Sequence, residues 1–349
     1  MSLNKRNTII LVLISIGLIT SIIILNFNTI NQYDNKIISV SEGKVLKNQH
    51  VLLSKAEKVV HNPKMFTYSH KFQIDKSLEK KINLPGGDAY SYYVNNKESN
   101  IIKGEFIVDT RLDGGAINLI FLQGNKTALV RTPSDSNWYS SVSINYKDKA
   151  TTIIPLELMW DSTGDEDLTV IPISSNKHYD GSYLAISRFV VLNPNVPYDE
   201  NSTLSDLEIE ESLLNDKKIN VYPFPKFYDE KKQELEIQNE NGQFFIKSLP
   251  HKLSLGAISY NTKIDIVIID KNGKIEETLR DINIVKGNTT DINLSDSLLT
   301  KINDSNNKYY ALITNNRNRN ILYDMNGINK LNQPFPTSFN LIIEFYKVK

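Results

Sequence analysis

Eighteen consecutive residues, Thr8 to Leu25, carry no charge, and this run divides the chain before anything else does. As a helix rising 1.5 Å per residue it would span roughly 27 Å, close to the thickness of a bilayer's hydrocarbon core. Its polar members, Thr8, Ser15, Thr20 and Ser21, are small hydroxyls that can bond back to helix carbonyls. Lys5 and Arg6 stand directly before it. Positive flanks stay on the cytoplasmic side, so residues 1–7 are expected inside as a short tail, residues 8–25 in the membrane, and everything later outside. A cleaved signal peptide is the competing reading. It requires an apolar stretch of about 7–15 residues followed by a small-x-small site. Here Asn26-Phe27-Asn28 follows instead, and Ser39 and Ser41 lie far downstream. The expectation is an uncleaved single-pass anchor, with cleavage and a buried soluble helix as alternatives.

Composition removes other classes. With no cysteine there is no disulfide framework, lipidated cysteine, thiolate metal site or cysteine nucleophile. Forty basic side chains balance forty acidic ones, so there is no basic excess of the kind a general nucleic-acid binder needs. Usage rich in Lys, Asn and Ile fits a bacterial chain with AT-rich coding, in which the sequons at Asn125, Asn201, Asn288 and Asn303 arise by chance.

After the anchor, residues 26–63 read as a polar stem, with Val51 to Val60 either an amphipathic helix or a first strand of the next domain. Residues 64–195 read as β throughout. Ile101 to Asp109 and Ala116 to Leu122 are rich in β-branched residues and flank Asp113-Gly114-Gly115, the signature of a hairpin turn. Further strands are expected at Thr127–Arg131, Ser141–Tyr146, Thr152–Leu158, Leu168–Ile173 and Tyr183–Leu192. Residues 196–233 form a Pro-bracketed acidic linker. There Ser205 and Glu208 have capping-box spacing, so a short helix is expected. Residues 234–349 are β again, with Lys263 to Ile269 running into the turn Asp270-Lys271-Asn272-Gly273, and a helical turn over Ser295–Ile302. The expected fold class is all-β after one N-terminal transmembrane helix, as two antiparallel β-sandwich or jelly-roll-like domains. A weak repeat joins the two β regions: Lys149-Ala-Thr-Thr-Ile-Ile-Pro-Leu resembles Gly287-Asn-Thr-Thr-Asp-Ile-Asn-Leu, and Tyr183-Leu-Ala-Ile-Ser resembles Tyr310-Ala-Leu-Ile-Thr.

Few constellations suggest chemistry. Asp161, Asp165, Glu166 and Asp167 crowd around Gly164 and could wrap Ca²⁺, which takes six to eight oxygen ligands, although the spacing is not that of an EF-hand. A solvated strand-to-strand tip gives the same pattern. No other cofactor is expected. Glu105 with Asp109, or Glu157 with Asp161, would share one side of a strand, as a glycosidase pair must. So would charges on a solvated sheet face. The five histidines show no metal-binding spacing. Aromatics in polar loops are the other candidates: Tyr90, Tyr92 and Tyr93 near Gly86-Gly87-Asp88, and Trp138-Tyr139 in a Ser/Asn/Asp segment. Flat rings on loops stack on sugar rings, or fold back onto the sandwich. Trp160, at a strand end, is expected in the core. The expected role is non-enzymatic binding of a wall polysaccharide, a glycan or another envelope protein. Alternatives are an envelope glycan hydrolase using a carboxylate pair, and an accessory subunit of a membrane complex.

Overall fold

The computed structural model describes residues 37–57, 67–83, 89–95, 99–174, 186–193, 204–206, 210–213, 216, 218–220, 222–240, 243–304, 308–315, 321–323 and 340–345. The run 8–25 lies outside these residues. Among the described residues no helix is long and apolar enough to cross a membrane. The protein is mostly β, in several sheets.

An eight-stranded sheet runs Ile37–Val40 (β1), Ser141–Tyr146 (β10), Gly115–Gln123 (β7), Asp167–Ser174 (β12), Ser187–Leu192 (β13), Ala89–Val94 (β5), Glu79–Asn83 (β4), with Lys126–Thr127 (β8) beside β7. A five-stranded sheet faces it: Lys44–Lys47 (β2), Ala150–Met159 (β11), Ile101–Thr110 (β6), Tyr68–Ile74 (β3), with Val130–Arg131 (β9) also on β11. Alternation along β6 sends Ile102, Phe106 and Val108 inward and Lys103 and Glu105 outward. Phe72 meets Phe121 across the gap between the sheets, ring centroids 5.3 Å apart, in a core that also takes Trp160.

A second pair of sheets follows. One has four strands: Glu234–Leu235 (β16), Pro225–Tyr228 (β15), Lys252–Leu255 (β19), Thr290–Asn293 (β22). The other has six: Gln238–Glu240 (β17), Gln243–Ile246 (β18), Asn340–Phe345 (β25), Tyr309–Asn315 (β23), Thr262–Asp270 (β20), Ile275–Ile284 (β21). Leu204–Asp206 (β14) pairs with Ile321–Tyr323 (β24) apart from these. The helix Asp296–Asp304 begins at Ser295, whose Oγ accepts from Leu298 N, and buries Leu298 and Ile302, one turn apart, in the second core.

The two pairs of sheets pack on each other. In β20, Ile264, Ile266 and Ile268 face the second core, whereas Val267 and Ile269 join the first, together with Tyr310, Leu312 and Ile342. That double burial is why Lys263 to Ile269 is almost unbroken in apolar residues rather than alternating. The β20–β21 turn presses against β7: Asn118 Nδ2 donates to Lys271 O at 2.7 Å, and Thr127 Oγ1 to Gly273 O at 3.2 Å. Gly273 has φ +84°, and a Cβ there would sit 2.9 Å from Ile120 Cγ2, so the turn needs glycine twice over. Arg280 spans the junction, 3.2 Å from Asp165 and 3.8 Å from Asp265.

The wiring is repeated. In the first pair, β10-β7-β12-β13-β5-β4 opposes β11-β6-β3; in the second, β21-β20-β23-β25-β18-β17 opposes β22-β19-β15. Chain order, neighbours and directions match strand for strand, including the one parallel step, β13 on β5 and β25 on β18. Lys149 (φ 46°) and Gly287 (φ 76°) both turn the chain in a left-handed conformation into the equivalent strands β11 and β22. The first motif of the sequence repeat therefore aligns. The second does not: Tyr310 lies in β23, whose counterpart is β12, while Tyr183 lies outside the described residues.

Several expectations change. The sheets are not purely antiparallel, since β1 on β10, β13 on β5, β14 on β24 and β18 on β25 run parallel. Each joins segments distant in sequence, where no tight turn dictates direction. Asp113-Gly114-Gly115 closes no hairpin, because β6 and β7 belong to opposite sheets. It turns a corner, where a Cβ on Gly114 would meet Tyr146 O at 2.6 Å. Residues 37–57 of the supposed stem are woven into the first pair: β1 and β2 extend its two sheets, and the helix Leu53–Glu57 lies outside β6. In the linker, Ser205 sits in β14 while Glu208 lies outside the described residues, and among the described residues of 196–233 a 3₁₀ turn, Glu211–Leu213, is the helical element. Over Leu204–Asp206 pairing with β24 supplies the backbone partners that a helix would have supplied.

Candidate functional site

The outer face of the five-stranded sheet is half covered and half open. Over the covered half lie residues 49–57. Asp109, fully buried, accepts from Leu52 N at 2.5 Å and Leu53 N at 3.0 Å through one oxygen, and from Thr151 Oγ1 through the other. Its carboxylate caps the free N–H groups at the start of the helix Leu53–Glu57.

The open half holds a cleft of about 440 Å³, floored by β3, β6 and β11 and walled by the turn after β3 and by Pro133. Register fixes which side chains meet there: Gln73 stands opposite Glu105, Glu105 opposite Pro155, and Glu157 opposite Lys103 on one side and Arg131 on the other. Glu157 is only 7% exposed. Arg131 answers it twice, Nε to Oε2 at 2.9 Å and a terminal nitrogen at 2.8 Å, with Lys103 at 3.8 Å. The same guanidinium lies 4.3 Å from the centre of the half-buried Trp138 ring. One arginine therefore neutralises the buried carboxylate and holds the indole in place.

The loop between Arg131 and Trp138 is closed by its own polar residues. Asp135 Oδ1 accepts from Asn137 N at 2.9 Å, and its other oxygen accepts from Tyr139 OH at 3.0 Å. Val130 and Tyr139 exchange backbone hydrogen bonds at 2.8 and 2.9 Å, pinching the loop at its base. Burial, then the hydrogen bond to Asp135, raises the Tyr139 hydroxyl above the usual tyrosine range. Tyr139 is thus a strut of the loop, and Trp138 packs beside it on Arg131.

The other sequence-derived candidates are placed elsewhere. Tyr92 and Tyr93 lie in strand β5, not in a loop, and are 4% and 9% exposed. Tyr92 packs with Leu192, and Tyr93 sits edge-on to Phe189 at 5.8 Å, so neither ring face is open. Tyr90 is also in β5. The four acidic residues proposed for Ca²⁺ diverge. Asp161 accepts from Thr163 N at 2.9 Å and Oγ1 at 2.7 Å, which holds its carboxyl below the usual range. Asp165 faces Arg280, Glu166 accepts from Asn193 N at 3.1 Å, and Asp167 pairs with Arg188 at 2.8 Å. Among the described residues no group of three or more His, Asp or Glu side chains could hold a metal ion. Nor do the carboxylate pairs face one bond: Asp109 is sealed under residues 49–57, and Asp161 stands past the end of β11 in its own turn. Arg131, Gln73 and Lys103 were not singled out in the sequence. The available signal was the polar member of each alternating pair in β3, β6 and β11, all on one face.

No family model matches the chain, and no curated protein matches it. Among solved structures, the adhesin domain of Epf from Streptococcus pyogenes is similar at 8% identity over 81% of this chain and 92% of that one, with a TM-score of 0.19. The BSP domain of a biofilm-associated protein is similar at 8% identity over 85% of this chain and 70% of that one, also at 0.19. Likeness at that level carries no argument about fold or role.

Proposed function

We propose that the chain is a membrane-anchored protein of the cell envelope, N-terminus inside and two β-sandwich domains outside, that binds a wall polymer, glycan or envelope protein without transforming it. The anchor is residues 8–25, oriented by Lys5 and Arg6. The observation that carries the binding reading is the open cleft beside the Arg131–Trp138 stack. It is concave and mixed in polarity, and its lining residue Glu157 holds Arg131, against which the Trp138 indole stacks. That stack lies in residues 124–140, between β7 and β10. The equivalent connection between β20 and β21 is only residues 271–274. Material added to a repeated fold at one loop, with its own internal bracing, is where a scaffold acquires a site.

The test is co-sedimentation of the full chain, in mild detergent, with insoluble bacterial cell-wall material. The expected result is retention that falls about tenfold on Trp138→Ala. Equal retention of both proteins, or none of either, overturns the reading. The anchor is checked separately: alkaline washing should leave the intact chain in vesicles, and protease added to whole cells should remove its C-terminal bulk.

A further inference from the structure

We infer that the cleft recognises an uncharged, hydroxyl-rich glycan segment and not a polyanion, a step that rests on the cleft being the binding site. Three carboxylates, Asp75, Glu105 and Glu157, and two lysines, Lys76 and Lys103, line the cleft, and the Arg131 guanidinium that binds Glu157 from outside the lining is the third cation. Their sum is zero, so the cleft presents no field that would concentrate a phosphate or uronate polymer. The cation best suited to an oxyanion is already engaged, since two nitrogens of the Arg131 guanidinium meet Glu157 Oε2 and the Trp138 indole lies against it. An apolar peptide finds little to fill, because the hydrophobic residues of the floor, Ile74 and Leu156, point into the core and leave only Pro133 and Pro155 outside.

A sugar fits this lining. Each hydroxyl both donates and accepts. Glu105 offers acceptors, Lys76 and Lys103 offer donors, and the Gln73 amide opposite Glu105 offers both. Glu105 and Lys76 have no ion-pair partner among the described residues, so their capacity is not already used within the fold. The partly buried Trp138 indole, joined to the cleft through Arg131 and Glu157, is the aromatic ring nearest in this chain of contacts that a pyranose could meet. Lys103 is 68% exposed and mobile by nature, and ordering such side chains opposes binding. A single cleft is accordingly weak, and many anchored copies on one polymer give avidity.

The experiment is calorimetric titration of the full chain in detergent with two sets of probes. The first set is uncharged: tetrasaccharides of N-acetylglucosamine, glucose and xylose. The second is anionic: polyphosphate and polygalacturonate. The expected result is binding of at least one tetrasaccharide, unchanged between low and high salt, weakened about tenfold by Glu105→Ala and by Gln73→Ala. Both positions are on the open face, and an unchanged melting temperature of each variant excludes misfolding as the cause. Binding of the polyanions alone, lost in salt and on Lys103→Ala, overturns the ligand class while leaving the site standing. Failure of every probe to bind, with wall material still retained through Trp138, overturns the class also. Failure together with loss of Trp138 dependence overturns the site itself.

Discussion

The two pairs of sheets share one wiring of nine strands and differ in what their outer faces do with charge. On the four-stranded sheet the outward residues are paired among themselves: Lys252, about a third exposed, lies 2.5 Å from Asp291, and the well-exposed Lys226 lies 3.0 Å from Glu234. On the five-stranded sheet the corresponding face carries a carboxylate sealed under residues 49–57, a second one buried against Arg131, and a cleft between them. The N-terminal segment supplies the cover over Asp109 and residues 124–140 supply Arg131 and Pro133; the equivalent connection in the second pair is only residues 271–274. The nine matching strands build the cores in both pairs. The additions built a surface.

The sharpest break of the comparison is at Asp109. Asp109→Ala removes the acceptor for one buried and one half-buried N–H group, leaving the Thr151 hydroxyl only the Gln49 carbonyl, and should cost about 3 kcal/mol. Chemical denaturation reads the loss, and hydrogen exchange should rise at Leu52 and Leu53. Next is Arg131→Ala, which leaves Glu157 buried beside only a distant Lys103 and should cost about 2 kcal/mol. Its counterpart on the second face, Lys252→Ala, should cost under about 0.5 kcal/mol in the same assay, because an exposed pair is worth little. Equal losses at Arg131 and Lys252 would erase the contrast.

Much of the fold was legible because the physics is local. Strand existence follows from β-branched alternation and the Asp270–Gly273 hairpin from its turn chemistry, and the helical turn expected over Ser295–Ile302 falls in the helix Asp296–Asp304. Sheet membership was not legible. Asp113-Gly114-Gly115 reads the same whether the chain returns in one sheet or crosses to the other, and only packing against the Tyr146 carbonyl decides. Ile37 to Lys47 looked like a stem because short edge strands have too few residues to show a period. For the site, Trp138 stood out as an aromatic in a polar loop, whereas Arg131 did not: its partner Glu157 is 26 residues away and its role exists only once β9 lies on β11. The acidic run near Gly164 misled because proximity in sequence says nothing about where carboxylates point.

Two smaller effects test the junction and the charges. Arg280→Ala should lower stability by about 1 kcal/mol or less, since the side chain is partly exposed, and should raise exchange at Asn118 and Lys271 more than in either core. On acidification, Asp161 is held low by its Thr163 hydrogen bonds and Asp291 by its bond to Lys252. A depressed folded-state value means stabilisation fully present above the unfolded value near 4 and lost as pH falls through the lower folded one. The melting temperature should therefore be flat from neutrality to about pH 5 and fall below about pH 4, slightly less in Asp161→Asn.

The most direct measurement is hydrogen exchange of the full chain with and without the wall material or oligosaccharide it retains. The account predicts new protection at Gln73, at Lys103 to Glu105 and from Arg131 to Trp138, and none at Lys226 to Tyr228, Lys252 to Leu255 or Thr290 to Asn293. Protection on the four-stranded sheet, or on both faces alike, would contradict it.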